Sequence, residues 1–271
     1  MIHLERITAF DRPELRPYQT MRWDATHRCQ NIFVAEGEKV VRRLLASDFE
    51  VVSMLLPEKW LASFEPLLEA RPEHIRVFLA EKKLLETLTG FTMYQGVLAV
   101  ARIPPPRPLE DILAAAPRPR LLVAMDTLSN AENVGVLVRN CAAFGVQAVV
   151  VGETCSSPYL RRAVRSSMGT VFRMPIIEAV RLTHTLRELQ AAGIRCLAAH
   201  PRNENTPLSR ADFSQDCCIV FGSEGAGLSQ PVLAMCDEAV AIPMPPEVDS
   251  LNVGSASAAF LYEACRQRGR V

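Results

Sequence analysis

Apolar and polar positions change rhythm along this chain. From Ile32 to Val100, short apolar runs alternate with one-sided helical stripes. Ile32–Ala35, Val51–Leu56, Ile75–Leu79 and Gly96–Val100 read as strands, and Glu36-Gly37-Glu38 as a turn. Between them Val40, Val41, Leu44 and Leu45 share one helical face, Leu61–Glu69 fits a helix, and a shorter helix fits around Leu84–Leu88. From Leu121 the apolar runs become continuous. Strands are predicted at Leu121–Met125, Ala148–Val151, Ile194–Ala198, Cys218–Phe221 and Ala239–Ile242, with a weaker one near Phe172–Ile176. Helices fit Val134–Phe144, Leu160–Ser167, Thr183–Ala192, Pro231–Met235 and Asn252–Arg266. Uniformly apolar strands alternating with helices predict an α/β fold with a mostly parallel sheet covered on both faces.

Two stretches break these rhythms. Met1 to about Met21 carries Arg6, Arg12 and Arg16 among acidic partners without clear period, which predicts an arm. Ile103–Arg120 is rich in proline, which predicts a stiff, extended linker. The expected organisation is an arm over 1–21, a small α/β domain over 22–103, a linker over 104–120 and a larger domain over 121–271.

At about one domain per 100–200 residues, a chain of 271 residues holds one or two domains. Hydrophobic content of 49% and a mean hydropathy of +0.09 support a real core. The longest apolar runs are strand-sized, well short of the roughly 20 residues of a membrane helix, and the N-terminus lacks a charged-then-apolar signal. A cytoplasmic, membrane-free protein is expected. Thirty Lys and Arg balance thirty Asp and Glu, so any nucleic-acid binding must rest on local patches. The eight cysteines (Cys29, Cys141, Cys155, Cys196, Cys217, Cys218, Cys236, Cys265) form no C-x-x-C pair, so buried free thiols are expected, with no metal site.

Three segments carry candidate chemistry. The first, Asp126–Val146, follows a strand, and its Asn- and Gly-containing turn would present backbone N–H groups at a helix start. Asn133 falls near that start and Arg139 about two turns further on. The second, Gly222–Leu228, sits at the carboxyl end of a strand, where open α/β sheets bind ligands. Its G-x-x-G-x-G spacing is not the dinucleotide fingerprint, and no P-loop occurs. The third, Ala241–Glu263, reads as a strand ending at Ile242, a loop stiffened by Pro243, Pro245 and Pro246, and a helix of small residues that Ser250 is placed to cap. Between the first two, Leu160–Met174 gathers Arg161, Arg162, Arg165 and Arg173, with Arg161 and Arg165 on one helical face. Such a patch would grip phosphates in a salt-dependent way; a solvated helix face accounts for the same residues.

Asn133–Gly145, Phe221–Ser229 and Ala241–Glu263, in this order, resemble the signature motifs of the SpoU/TrmH family of RNA ribose 2′-O-methyltransferases, within the SPOUT superfamily, from roughly Leu121 onward. The resemblance implies a deep trefoil knot, made by threading the C-terminal helix through the loop before it, together with S-adenosylmethionine as cofactor and a homodimer. Periodicity alone indicates no knot. By the same resemblance Asn133, Gly135 and Arg139 match the catalytic loop, Glu224 helps hold the active site, and Ser250 and Asn252 lie near the reacting groups. Backbone groups at Gly222, Ile242, Met244 and Leu251, with Ala199 at a strand end, would hold the adenosine part. The chain departs from the family pattern at Ala131-Glu132, where Asp-Pro is common, at Pro246, a usual glycine, and at Gly254, a usual serine.

The first domain, with its FVAEGEKVV opening, resembles the family's substrate-binding domain of ribosomal-protein-like fold. Arg22, Arg28, Lys39, Arg42 and Arg43 are its candidate RNA contacts, sequence-neutral ones to phosphate. The expected reaction is methylation of a ribose 2′-hydroxyl, which excludes DNA as substrate. Ribosomal RNA is expected before transfer RNA, on the N-terminal domain together with the short stretch after the third motif's helix. Two other readings compete: a non-catalytic RNA-binding or ribosome-assembly protein on the same fold, and a nucleotide-dependent enzyme such as a dehydrogenase, which the glycine spacing opposes.

Overall fold

The computed structural model describes residues 2–21, 24–89, 96–202 and 204–270. The chain forms two compact units. Met1–Pro105 and Pro158–Arg173 make the first; Pro106–Ser157 and Met174–Val271 make the second.

The first unit is built on five strands, β1 (Ile2–Arg6), β2 (Ile32–Glu36), β3 (Val51–Leu56), β4 (Ile75–Leu79) and β5 (Leu98–Arg102), in the order β1-β4-β3-β5-β2. β1, β4 and β3 run parallel, and β5 is antiparallel to both its neighbours. Its helices up to this point are α1 (Arg16–Gln19), α2 (Asp24–Cys29), α3 (Glu38–Leu45), α4 (Leu61–Glu69) and α5 (Lys82–Thr89). The expected stripe of α3 is buried at Val40, Val41, Leu44 and Leu45. The arm expected at the N-terminus is corrected by the structure. Ile2–Arg6 is an edge strand on β4, and Leu15, Tyr18 and Met21 are buried. Tyr18 shares a 2.8 Å hydrogen bond with Ser53 of β3. Leu15, Tyr18 and Met21 recur every three residues, but across a turn at Pro13–Leu15 and a four-residue helix, too short a run to show an amphipathic stripe, which is why the segment read as an arm. The last strand begins two residues later than expected, since Gly96 holds a left-handed φ of 71°.

The second unit and its insertion continue as α6 (Leu109–Ala115), β6 (Leu121–Met125), α7 (Ala131–Ala143), β7 (Ala148–Val151), α8 (Arg161–Ser166), β8 (Ile176–Glu178), α9 (Leu182–Ala191), β9 (Arg195–Ala199), β10 (Thr206–Pro207), β11 (Cys217–Phe221), α10 (Gln230–Met235), β12 (Glu238–Ala241) and α11 (Val253–Gln267). Seven strands form one sheet in the order β10-β12-β9-β11-β6-β7-β8, every neighbouring pair parallel. One face carries Leu122, Ala124, Val150, Ala198 and Val220 against Ile112 and Leu113 of α6, Leu186 and Leu189 of α9, and Val232 of α10. Strand alternation turns Phe221 to the other face, where its ring meets Phe260 of α11 edge-on at 5.6 Å between centroids.

Two further expectations are corrected. The extended linker contains a helix, α6, whose Ile112 and Leu113 join the core. Its first prolines end at Pro108, the residue just before the helix, and the next is Pro117 beyond it, leaving the Leu/Ala-rich run between them free to form the helix. The weak strand near Phe172–Ile176 is a single-turn helix at Thr170–Arg173 in the first unit, followed by β8 in the second.

Candidate functional site

From β6 the sheet grows outward through β7 and β8, then the chain crosses to β9 and leaves the intervening slot to β11. At such a reversal the carboxyl ends of parallel strands diverge and open a crevice. A cavity of about 350 Å³ lies there, walled by the ends of β9, β11 and β12 and the start of α11. Ala199, Gly222, Ile242, Met244 and Leu251 all line it, as do Glu224 and Ser250. Its volume is in the range of small-molecule sites, about 300–1,000 Å³.

Gly222 is required by close approach of backbone. A Cβ there would lie 2.3 Å from the Gly227 carbonyl carbon. The loop closes on itself through paired 3.0 Å hydrogen bonds between Ser223 and Gly227, with Gly227 at a φ of 67°. The loop after β6 fastens it from outside. The buried Asp126 carboxylate accepts from the Ser229 N–H at 2.7 Å, and Thr127 Oγ1 donates to the Gly227 carbonyl at 3.1 Å. The first and second motifs, about 100 residues apart, thus form one scaffold.

Asn252 connects all three motifs. Its Nδ2 donates to Asn133 Oδ1 at 3.3 Å and to the Glu224 carboxylate, while its Oδ1 accepts from the Gly254 N–H at 2.8 Å. The last bond makes Asn252 the N-cap of α11, correcting the assignment of that role to Ser250. Ser250 is exposed in the preceding loop. Asn130, not singled out from sequence, caps α7 by accepting from the N–H groups of Glu132 and Asn133. Arg139 is exposed on α7 and has no ion pair or hydrogen bond among the described residues.

α7 and α11 lock together beside this network. Asn140 Nδ2 donates to the Gly254 carbonyl at 2.7 Å and to Ser257 Oγ at 2.9 Å. A Cβ on Gly254 would lie 2.6 Å from Val136 Cγ1 and 2.9 Å from Asn252 Oδ1. The departure from serine at this position therefore suits the valine facing it.

Sequence reading missed three charged or titratable residues in the cavity wall, His200, Arg202 and Asp249. The position of the first two, just past the end of a buried strand, was the available signal. Asn205 Nδ2 bonds both His200 Nδ1 and the His200 carbonyl oxygen, each at 3.2 Å. Burial, and then the Arg202 charge, hold the His200 pKa below its usual value, against the pull of Glu204.

The candidate RNA contacts fall elsewhere. Arg22 lies outside the described residues. Arg28 and Lys39 are exposed. Arg42 is bonded to Glu38 at 2.8 Å and stacked over Phe64, 4.5 Å from the ring centroid. Arg43 donates to the Met168 carbonyl at 2.5 Å. α8, with Arg161, Arg162 and Arg165, belongs to the first unit. Arg161 and Arg165 share a face, as their spacing predicts, and both pair with Glu36, Arg165 at 3.2 Å. Only 13% of the Arg161 side chain is exposed against 60% of that of Arg165, so Arg165 and the exposed Arg162 are the cations α8 offers to solvent. Among the described residues no cluster of three or more His, Cys, Asp and Glu is placed to hold a metal, and no helix is long and apolar enough to cross a membrane.

Residues 120–262 match the model of the SpoU rRNA Methylase family, and residues 34–107 match the model described as RNA 2′-O ribose methyltransferase substrate binding. A protein of Mycobacterium bovis, named an uncharacterized tRNA/rRNA methyltransferase, is 33% identical over 238 residues, which cover 87% of this chain and 81% of that one. Among solved structures, an RNA 2′-O ribose methyltransferase aligns with a TM-score of 0.80 at 26% identity, over 97% of this chain and 99% of its own. The AdoMet-bound rRNA methyltransferase of Sinorhizobium meliloti shares the fold, with a TM-score of 0.83 at 23% identity over 97% of this chain and 98% of that one.

Proposed function

The chain belongs to the SpoU rRNA methylase family of RNA methyltransferases, and on that premise we propose that it moves a methyl group from S-adenosylmethionine to a ribose 2′-hydroxyl of RNA, ribosomal RNA before transfer RNA. The observation that carries the reading is the bonding of Asn252 to both Asn133 and Glu224 beside a cavity of about 350 Å³. The residues present suit the cofactor. Gly222 lets the loop after β11 close tightly at the cavity wall, Ile242, Met244 and Leu251 offer apolar wall to an adenosine, and Glu224 and Asp249 offer negative charge. A protein of the same fold, that of S. meliloti, is an AdoMet-bound one.

Bound there, S-adenosylmethionine supplies a methyl group already activated by a positively charged sulfur. The protein must then hold the attacking hydroxyl in line and stabilise the charge that develops on its oxygen. Arg139 suits the second task. Its guanidinium is exposed and unpaired among the described residues, and a guanidinium, which keeps its proton in proteins, serves as a fixed cation and donor rather than a base. Asn133 and Asn252 orient the loop around it, and Ser250 offers a hydroxyl at the cavity edge. The reading includes the homodimer, the knotted threading of α11, and RNA contacts by Arg28, Lys39, Arg162 and Arg165. Arg139→Ala is expected to lower methyl transfer to ribosomal RNA by at least about a hundredfold while S-adenosylmethionine affinity stays within about twofold. Normal turnover by that variant removes Arg139 from the reaction.

A further inference from the structure

The cavity has two chemically different ends. Ile242, Met244, Leu251 and Phe260 make the apolar part, contributed by the segment after β12 and by α11 and its approach. The segment after β9 instead brings His200 and Arg202, the basic residues of the cavity lining among the described residues. Nothing in the roles assigned so far uses them.

The bonding around His200 fixes which ring nitrogen carries the proton. The His200 carbonyl oxygen can only accept, so the Asn205 atom 3.2 Å from it is the amide nitrogen. That nitrogen also donates to His200 Nδ1. A neutral imidazole that accepts at Nδ1 has its hydrogen on Nε2. Burial, and then the Arg202 charge, disfavour the imidazolium, so this tautomer prevails at neutral pH. His200 is therefore an oriented donor rather than a base. Arg202 adds a guanidinium whose intramolecular partner, Glu204, is 3.6 Å away with both side chains largely exposed, a pairing too weak to occupy it. The His200 Nε2–H, which meets no acceptor among the described residues, and the loosely held Arg202 together offer donors to an anion, and a carboxylate matches them in charge and size.

We propose that His200 and Arg202 form the amino-acid end of the cavity, taking the carboxylate of the methionine part of S-adenosylmethionine. The proposal rests on the cofactor reading above and deepens it. His200 is then a positioning and specificity residue: it distinguishes adenosyl ligands that carry an amino-acid tail from those that lack one. The opposite charges at Glu224 and Asp249 are left for the tail's ammonium and the sulfonium.

Calorimetric titration with S-adenosylmethionine, S-adenosylhomocysteine and 5′-methylthioadenosine tests this, since the third keeps the adenosine and sulfur and lacks the amino-acid tail. In His200→Ala the first two should bind about tenfold more weakly and methylthioadenosine within twofold of the wild type. Arg202→Ala should weaken the same two by about threefold, consistent with its exposure. His200→Gln, whose amide nitrogen can stand where Nε2–H stood, should recover most of the loss. Parallel weakening of methylthioadenosine would place His200 on the adenosine half or in the fold and overturn the proposal, as would unchanged affinity for S-adenosylhomocysteine in His200→Ala. Binding of none of the three by the wild-type protein would instead overturn the cofactor reading, and this inference with it.

Discussion

Asn252 does two jobs with opposite ends of one amide, and a pair of substitutions separates them. Its Oδ1 caps α11 through the Gly254 N–H at 2.8 Å, and its Nδ2 holds Asn133 and Glu224. Asn252→Ala removes both. Loss of an N-cap costs about 1 kcal/mol, which corresponds to roughly fivefold faster exchange of the capped Gly254 amide by local opening. Asn252→Asp keeps an oxygen on that N–H and adds a negative charge at a helix N-terminus, a favourable placement of about 0.3–1 kcal/mol. It loses both donations and sets a second carboxylate against Glu224, a repulsion of about 1 kcal/mol at 4 Å in water. Exchange at the start of α11 should therefore be within about twofold of the wild type in Asn252→Asp and about fivefold faster in Asn252→Ala. Methyl transfer should fall by tenfold or more in both, since each frees Glu224. The assay is hydrogen exchange on the 253–260 segment, read by mass spectrometry, beside methyl incorporation into ribosomal RNA. Equal opening of α11 in the two variants, or wild-type turnover by Asn252→Asp, would refute the division of labour.

Two other outcomes follow from the packing. Gly254→Ser introduces a Cβ 2.6 Å from Val136 Cγ1, so it should destabilise by about 1–3 kcal/mol and lower the melting temperature by several degrees. Adding Val136→Ala should recover part of that loss, and an unshifted melting curve for Gly254→Ser alone would contradict the close approach of α7 and α11. Burial pushes the Cys196 and Cys236 thiols up to about 12 and Cys217 to about 11, whereas Cys29 is exposed. Iodoacetamide at pH 8 should label Cys29 first, because only about one in ten thousand molecules of a thiol with a pKa near 12 is ionised there; equally fast labelling of Cys196 or Cys217 would count against a closed core.

What could be read from sequence divides by the range of the interaction responsible. Strands such as Leu121–Met125 and Ala148–Val151 are buried on both faces, so their continuous apolar runs identify them without knowledge of their neighbours. The cavity residues Gly222, Ile242 and Met244 were legible through the motif resemblance, and each lies just past a strand end. Ile2–Arg6 was not legible, because its strand character is supplied by β4 more than 70 residues away. The placement of Pro158–Arg173 was hidden for the same reason. Its Tyr159 and Phe172 rings lie 5.8 and 5.7 Å from that of Phe33, and its Arg161 pairs with Glu36, partners more than 120 residues distant. Ser250 and Asn252 are both good capping residues; the choice between them depended on where the proline loop releases the chain. His200 became visible only when Asn205 and the cavity were seen around it.

Transfer of the methyl group to a ribose oxygen is tested most directly by identifying the atom that receives it. The purified protein would be incubated with methyl-labelled S-adenosylmethionine and unmodified ribosomal RNA, and the RNA digested to nucleosides for chromatography and mass spectrometry. Label is expected in a single 2′-O-methylated nucleoside and is expected to be lost in Arg139→Ala. Label on a base, or none from a protein that binds the cofactor and RNA normally, would contradict transfer to the ribose.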